Sequence, residues 1–135
     1  MKRRTITGIL LITLSVLSVG IVADESGLIN IDIVVAPNVL NLDAEAKGNF
    51  VTMHTDIAYA DVDENCDSIT LKVGEDGINI GYCYPDDRGN LVVKVDRTDV
   101  MDVASPPNAT FTLTGETDGG ILFMGTDVIR VIDCR

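Results

Sequence analysis

The 135-residue chain has no tryptophan, and its only aromatic residues are three Phe and three Tyr. So few rings argue against an aromatic-lined platform for sugars or bases. Positive charge is also scarce. Ten Lys and Arg stand against 21 Asp and Glu, a formal net charge of −11. Affinity for phosphate comes from clustered Lys and Arg, so nucleic acid is excluded as a partner. Histidine occurs once, as His54 at the end of a predicted strand, and any Ser–His or Cys–His pair would have to form around that one ring. There is no G-x-S-x-G elbow and no C-x-x-C pair. A glycosidase needs two carboxylates across a cleft, and 21 acids supply such pairs by chance. The chain therefore reads as non-enzymatic. What is plentiful is apolar surface. At 46% hydrophobic residues the chain can offset the entropy of ordering, and its length fits one ordinary domain.

Residues 1–23 are set apart. Lys2, Arg3 and Arg4 precede an uncharged stretch from Thr5 to Ala23, and Asp24 and Glu25 are the first acids. That order is the basic and apolar part of a secretory signal, with small-residue cleavage positions after Gly20 and after Ala23. The alternative is an uncleaved anchor, because the apolar stretch is close to the shortest that spans a bilayer. No cysteine follows it at once, which argues against a lipid anchor. The expected organisation is a signal peptide over 1–23 and one domain over 24–135. Removing the leader's three basic residues leaves 7 Lys and Arg against 21 acids, a net −14. The expected location is outside the cell or on its surface.

In the mature chain no apolar pattern of helical period persists for three turns. Short β-branched runs recur instead, at Ile29–Val35, Phe50–His54, Ser68–Val73, Ile78–Tyr84, Leu91–Val95, Ala109–Thr114 and Val128–Ile132. Ile57–Val62 reads either as a weak strand or as a turn of helix. About seven or eight short strands in a chain of this length predict an all-β, antiparallel sandwich.

All three cysteines lie in the exported part, where disulfides persist. Gly74-Glu75-Asp76-Gly77 joins two of the runs as a hairpin. A two-residue turn at Gly74-Glu75 sets Val73 opposite Asp76 and Cys66 opposite Cys83. A four-residue turn would set Cys66 opposite Pro85 instead, and two unrelated thiols are the remaining alternative. With Cys66 and Cys83 paired, Cys134 is left to dangle or to pair between chains. Asn108-Ala109-Thr110 is a glycosylation sequon beside Pro106-Pro107, expected in a surface loop.

Two acidic stretches have partial calcium-loop character. Asp61, Asp63, Asn65 and Asp67 alternate as calcium ligands do, but the sixth position, which such a loop needs as Gly, is Cys66, and the twelfth is Lys72. Asp86 and Asp87, with Asn90, form a second and poorer set.

The two ends of the domain carry a family resemblance. Ile31-Asp32-Ile33, Pro37-Asn38 and Asn41-Leu42, with Gly48 before a strand, resemble the I-D-I, P-N and N-L opening of a small secreted prokaryotic β-domain. Val93-Lys94-Val95-Asp96-Arg97 is similar to its V-K-F-D-R strand. Leu113-Thr114-Gly115-Glu116, Gly120, Gly125, Asp127 and Ile129-Arg130-Val131-Ile132 resemble its closing L-T-G-E…G-x-D-x-I/V-R-V/I-I/V. The resemblance implies an Ig-like sandwich serving as a non-catalytic accessory module. Calcium-binding repeats or hydrolase domains often accompany that family. In this chain the expected role is structural or adhesive, with an envelope or extracellular protein as partner. Two alternatives stand beside it: a fibre subunit whose Asp24–Val35 segment completes a neighbour's sheet, and a weak calcium-binding module. Self-association would then run through a sheet edge or Cys134.

Overall fold

In the computed structural model the described residues are 27–43 and 50–134. The export segment and Gly48 lie outside them. In chain order the elements are β1 (Ile29–Asn30), β2 (Ile33–Ala36), β3 (Val39–Asn41), β4 (Phe50–Ala58), a 3-10 turn (Tyr59–Asp61), β5 (Thr70–Val73), β6 (Asp76–Ile78), β7 (Tyr82–Pro85), β8 (Asn90–Asp96), α1 (Arg97–Val103), β9 (Asn108–Glu116) and β10 (Leu122–Ile132). One sheet runs β1-β10-β9-β5-β6, with β3 also on β10, and the other runs β2-β4-β8-β7. The expected β-sandwich is present, and its larger sheet carries two short parallel pairings that were not expected. Ile29 and Asn30 lie parallel to Phe123 and Met124, and Val39 to Asn41 lie parallel to Arg130 to Ile132.

The long strands β4, β9 and β10 bury the face their alternation marks. Val51, Met53 and Ile57 of β4 point inward, as do Phe111 and Leu113 of β9 and Phe123, Ile129 and Val131 of β10. Filling the space between the sheets with these side chains gives about 1.5–3 kcal/mol apiece. The register of β4 on β8 shifts between His54 and Ala58. There Thr55, buried at the shift, donates its hydroxyl to the Leu91 carbonyl at 2.7 Å and accepts the Ile57 N–H at 3.3 Å. The ambiguous Ile57–Val62 stretch resolves into the end of β4, the 3-10 turn, and a single bridge from Val62 to Thr117.

The run Ile29–Val35 is not one strand. It changes sheets at Ile31-Asp32, so β1 lies on β10 while β2 pairs antiparallel with β4. The crossing runs directly over Gly125. A Cβ there would stand 2.7 Å from Ile33 Cγ2 and 2.9 Å from the Ile31 carbonyl oxygen. Two residues on, Asp127 Oδ2 accepts the Val35 N–H at 2.8 Å. Gly115 serves the core in a related way, because the ring of its cross-strand partner Phe123 occupies the place of a side chain. Of the closing glycines only Gly120, at φ 84°, serves a turn.

The helix α1 was not expected. Its seven residues fall short of the three turns that periodicity needs, but its cap is readable: Asp96 accepts the Thr98 N–H at 2.8 Å, and Val100 is buried beneath. Gly125→Ala is expected to lower stability by about 1–3 kcal/mol through overpacking against backbone. Gly77→Ala, where a Cβ meets nothing within 4 Å, should change it by less than about 0.5 kcal/mol. Urea unfolding midpoints of the two variants check this.

Candidate binding face

The acidic loops singled out by their spacing largely serve their own backbone. Asp61 closes the 3-10 turn, and its carbonyl accepts the Asp118 N–H at 2.8 Å. Asp63 turns its carboxylate onto the Asn65 N–H at 3.0 Å, and its carbonyl accepts the Cys66 N–H at 2.9 Å. Asp67 is exposed beyond it. Asp86 Oδ1 accepts the Arg88 N–H at 2.8 Å and the Asn90 N–H at 3.0 Å, while Asp87 points to solvent. Among the described residues no three His, Cys, Asp or Glu side chains group as a metal-ligand set. Asp63 and Asp86 act as turn acceptors.

The Asn90 N–H, ahead of the opposing desolvation and the added help of Arg88, holds the Asp86 carboxyl below its ordinary range. A lowered folded-state pKa gives stability that is present above the unfolded value and lost as pH falls through the folded one. The urea-midpoint difference between the protein and Asp86→Ala should therefore be larger at neutral pH and shrink in acid below that range.

Cys66 and Cys83 are bonded, with Cα atoms 6.3 Å apart. The turn beside them is the two-residue one, with Val73 opposite Asp76 and Gly74 at φ 61°. The reason for the pairing differs from the expected hairpin register. β6 ends at Ile78, and the chain crosses to the other sheet, where Cys83 pairs with Val93. The crossing passes Gly81, whose N–H donates to the Lys94 carbonyl at 2.9 Å and whose Cβ, if present, would lie 2.9 Å from that same oxygen. The disulfide thus ties the loop before β5 to the edge of the four-stranded sheet.

Cys66 itself is the one non-glycine at positive φ among the described residues, at 61°. This is the loop position at which a calcium loop calls for Gly, and here the backbone does take the left-handed form. Cys134 is exposed and unbonded. Asn108 is exposed at the first residue of β9, opposite Arg130, so the sequon opens a strand rather than lying within a loop. A left-handed non-glycine costs about 1–2 kcal/mol. With the disulfide removed, Cys66→Gly/Cys83→Ala should unfold at higher denaturant than Cys66→Ala/Cys83→Ala, by about 1 kcal/mol.

The feature that composition did not suggest is the outer face of the four-stranded sheet. Two successive rows cross it: Ala36–Thr52–Lys94–Tyr82 and Val34–His54–Val92–Tyr84. Phe50 adjoins the first row. Three of the chain's six aromatic residues therefore share one solvent-facing surface. Phe50 and Tyr82 meet edge to face at 5.5 Å between centroids, and Tyr82 and Tyr84 lie 5.9 Å apart with planes 29° from parallel. The Lys94 ammonium stands over the Phe50 ring at 5.6 Å and over Tyr84 at 5.8 Å. Val92, on the same face, is fully covered. Tyr82 is 45% exposed, Phe50 38% and Val34 60%. Neither row contains a carboxylate, but the next row pairs Phe50 with Asp96, and Asp86 lies near enough to His54 for their charges to interact. The signal legible in sequence was Tyr82-x-Tyr84, two rings on one side of a strand; Phe50 and Lys94 join them only through sheet order.

No family model matches the chain, and no curated protein matches it. Solved structures similar in shape include two bacterial ones. One is from work on host cell surface retention of a 1.5-MDa bacterial ice-binding adhesin, at 16% identity and a TM-score of 0.43, over 91% of this chain and 35% of that one. The other is a bacterial immunoglobulin-like domain from the M. primoryensis ice-binding adhesin, at 17% identity and a TM-score of 0.43, over 78% of this chain and 98% of that one. The chain thus spans about a third of the length of the first.

Proposed function

We infer that this chain is an exported, non-catalytic module that acts outside the cell or at its surface by binding, in a structural or adhesive role. The observation that carries this reading is the exposed aromatic cluster of Phe50, Tyr82 and Tyr84 on a packed sheet face. Exposed apolar surface of this kind marks interaction sites, and aromatic rings are what such sites are enriched in. The basic and apolar leader over 1–23 supports export, and the Cys66–Cys83 bond suits an oxidising compartment. His54, the one imidazole, is exposed on β4 and faces Val34 and Val92 across the two neighbouring strands, with Asp86 near enough for their charges to interact.

The fibre-subunit alternative requires Asp24–Val35 to leave its own sandwich. Ile31, Ile33 and Val35 of that segment are buried in the domain's own core, and Asp127 holds the Val35 N–H. The module reading needs no such exchange. The calcium alternative would draw on Asp63 and Asp86, carboxylates already committed to backbone N–H groups.

Cell fractionation with N-terminal sequencing tests export. The protein is expected in the envelope or the medium, beginning at Ile21 or Asp24, or intact in the envelope if the leader is kept as an anchor. Recovery in the cytoplasm with Met1 in place would overturn the reading.

A further inference from the structure

We propose that the outer face of the four-stranded sheet is a saccharide-binding site, and that its ligand is a polysaccharide carrying carboxylates, such as a polyuronate. The inference rests on the reading of the chain as a surface binding module and assigns the ligand of that module.

Three observations converge on this chemistry. First, the rings are held before any ligand arrives. Phe50 packs edge-on to Tyr82, Tyr82 lies beside Tyr84, and Val92 fills the base beneath. A preorganised surface avoids the entropy of immobilising side chains on binding. Aromatic side chains with polar tips suit a ligand that is apolar on one side and wet on the other. A pyranose ring is such a ligand, with C–H bonds on its faces and hydroxyls at its rim.

Second, polar groups flank the rings on the neighbouring strands. The Thr52 hydroxyl lies in the row of Tyr82, and the His54 imidazole lies in the row of Tyr84. Both supply the donors and acceptors that sugar hydroxyls require.

Third, the face has a cation without a counter-ion. Lys94 Nζ is positioned by the Phe50 and Tyr84 rings, and among the described residues no carboxylate pairs with it. Ring contacts orient an ammonium without neutralising it. Asp96, opposite Phe50 in the next row, turns its carboxylate to the Thr98 N–H, and Asp86 turns its own to the Arg88 and Asn90 N–H groups, so Lys94 amid the rings is left to meet an anionic ligand. It is a single charge, so it suits a carboxylate on a sugar chain rather than a polyphosphate.

Affinity electrophoresis of the purified protein in gels containing polygalacturonate or alginate, with dextran as the neutral comparator, tests the proposal. Retardation is expected in both polyuronates, weaker in dextran, and reduced by added salt. Tyr84→Ala should weaken it about tenfold, as for loss of a central aromatic anchor. Lys94→Gln, a surface change with little effect on folding, should abolish the preference for polyuronate over dextran. Unfolding midpoints of each variant confirm that the domain remains folded.

No retardation by either polyuronate, or retardation unchanged in both variants, would overturn the proposal. Binding to poly-glutamate as strong as to polyuronate would overturn the saccharide assignment in favour of an acidic polypeptide. If the exported protein is still retained at the cell surface when Tyr84→Ala and Lys94→Gln are combined, the surface-module reading stands and this site assignment fails.

Discussion

The sandwich depends on one close approach, the passage of the N-terminal chain across Gly125. To pair with β10 as β1, with β4 as β2, and with β10 again as β3, the backbone must change sheets twice within a few residues. At Gly125 it runs against a residue without a side chain, and at Asp127 it meets a carboxylate that accepts the Val35 N–H at 2.8 Å. That bond takes the place of a ladder partner on the outer edge of β2. An open edge invites pairing with another chain, and a side chain that satisfies it is one way to close it. Once β2 is fixed, the register Val34↔His54 and Ala36↔Thr52 follows, and with it the order of side chains on the outer face.

A second sheet change builds the other half of that face. Had the β5–β6 hairpin continued past Ile78 in the same register, Tyr82 would lie opposite Asp67 and Tyr84 opposite Asn65. Crossing at Gly81 carries both rings to β8 instead, beside Lys94 and Val92. The Cys66–Cys83 bond then anchors the strand that bears them, since Cys83 sits between the two tyrosines with its sulfur on the opposite side from their rings. The geometry of the aromatic cluster is therefore a consequence of where the chain leaves one sheet, not of local strand preference.

Both crossings also mark the limit of what the sequence made legible. Ile29–Val35 and Ile78–Tyr84 each read as one strand, because the two-residue alternation is the same whichever sheet a segment joins. A change of sheet leaves the period intact and alters only the partner. The pairing of Cys66 with Cys83 was legible for the right compartment and the right turn, yet through a register that stops at Ile78. Of the strands lying wholly within one sheet, β8 and β9 were readable to within two residues at each end, β4 only over Phe50–His54, before its register shift, and β10 only at its C-terminal half. Its first half holds Gly125 and Asp127, which serve the crossing and interrupt the apolar pattern. Composition pointed away from an aromatic surface because it counts rings and cannot place them. Six rings are few across a chain of this size, but three on one face of four strands make a cluster.

The acidic residues follow the same backbone constraints. Spacing alone made Asp61, Asp63, Asn65, Asp67, Asp86 and Asp87 resemble calcium ligands, because alternating Asp and Asn also describes loops whose side chains cap their own backbone. In this fold the carboxylates of Asp63, Asp86, Asp96 and Asp127 each accept backbone N–H groups. Negative charge is thereby drawn into the turns, the helix cap and the crossing, where an unsatisfied donor would otherwise cost about 1–3 kcal/mol if buried. The two central rows of the four-stranded sheet, whose N–H groups are met by neighbouring strands, need no such acceptors. Their outer positions are left to Thr52, His54, Lys94 and the tyrosines. A strongly acidic chain thus keeps two aromatic-bearing rows without a carboxylate, while the acids at their margins, Asp86 and Asp96, turn to backbone N–H groups.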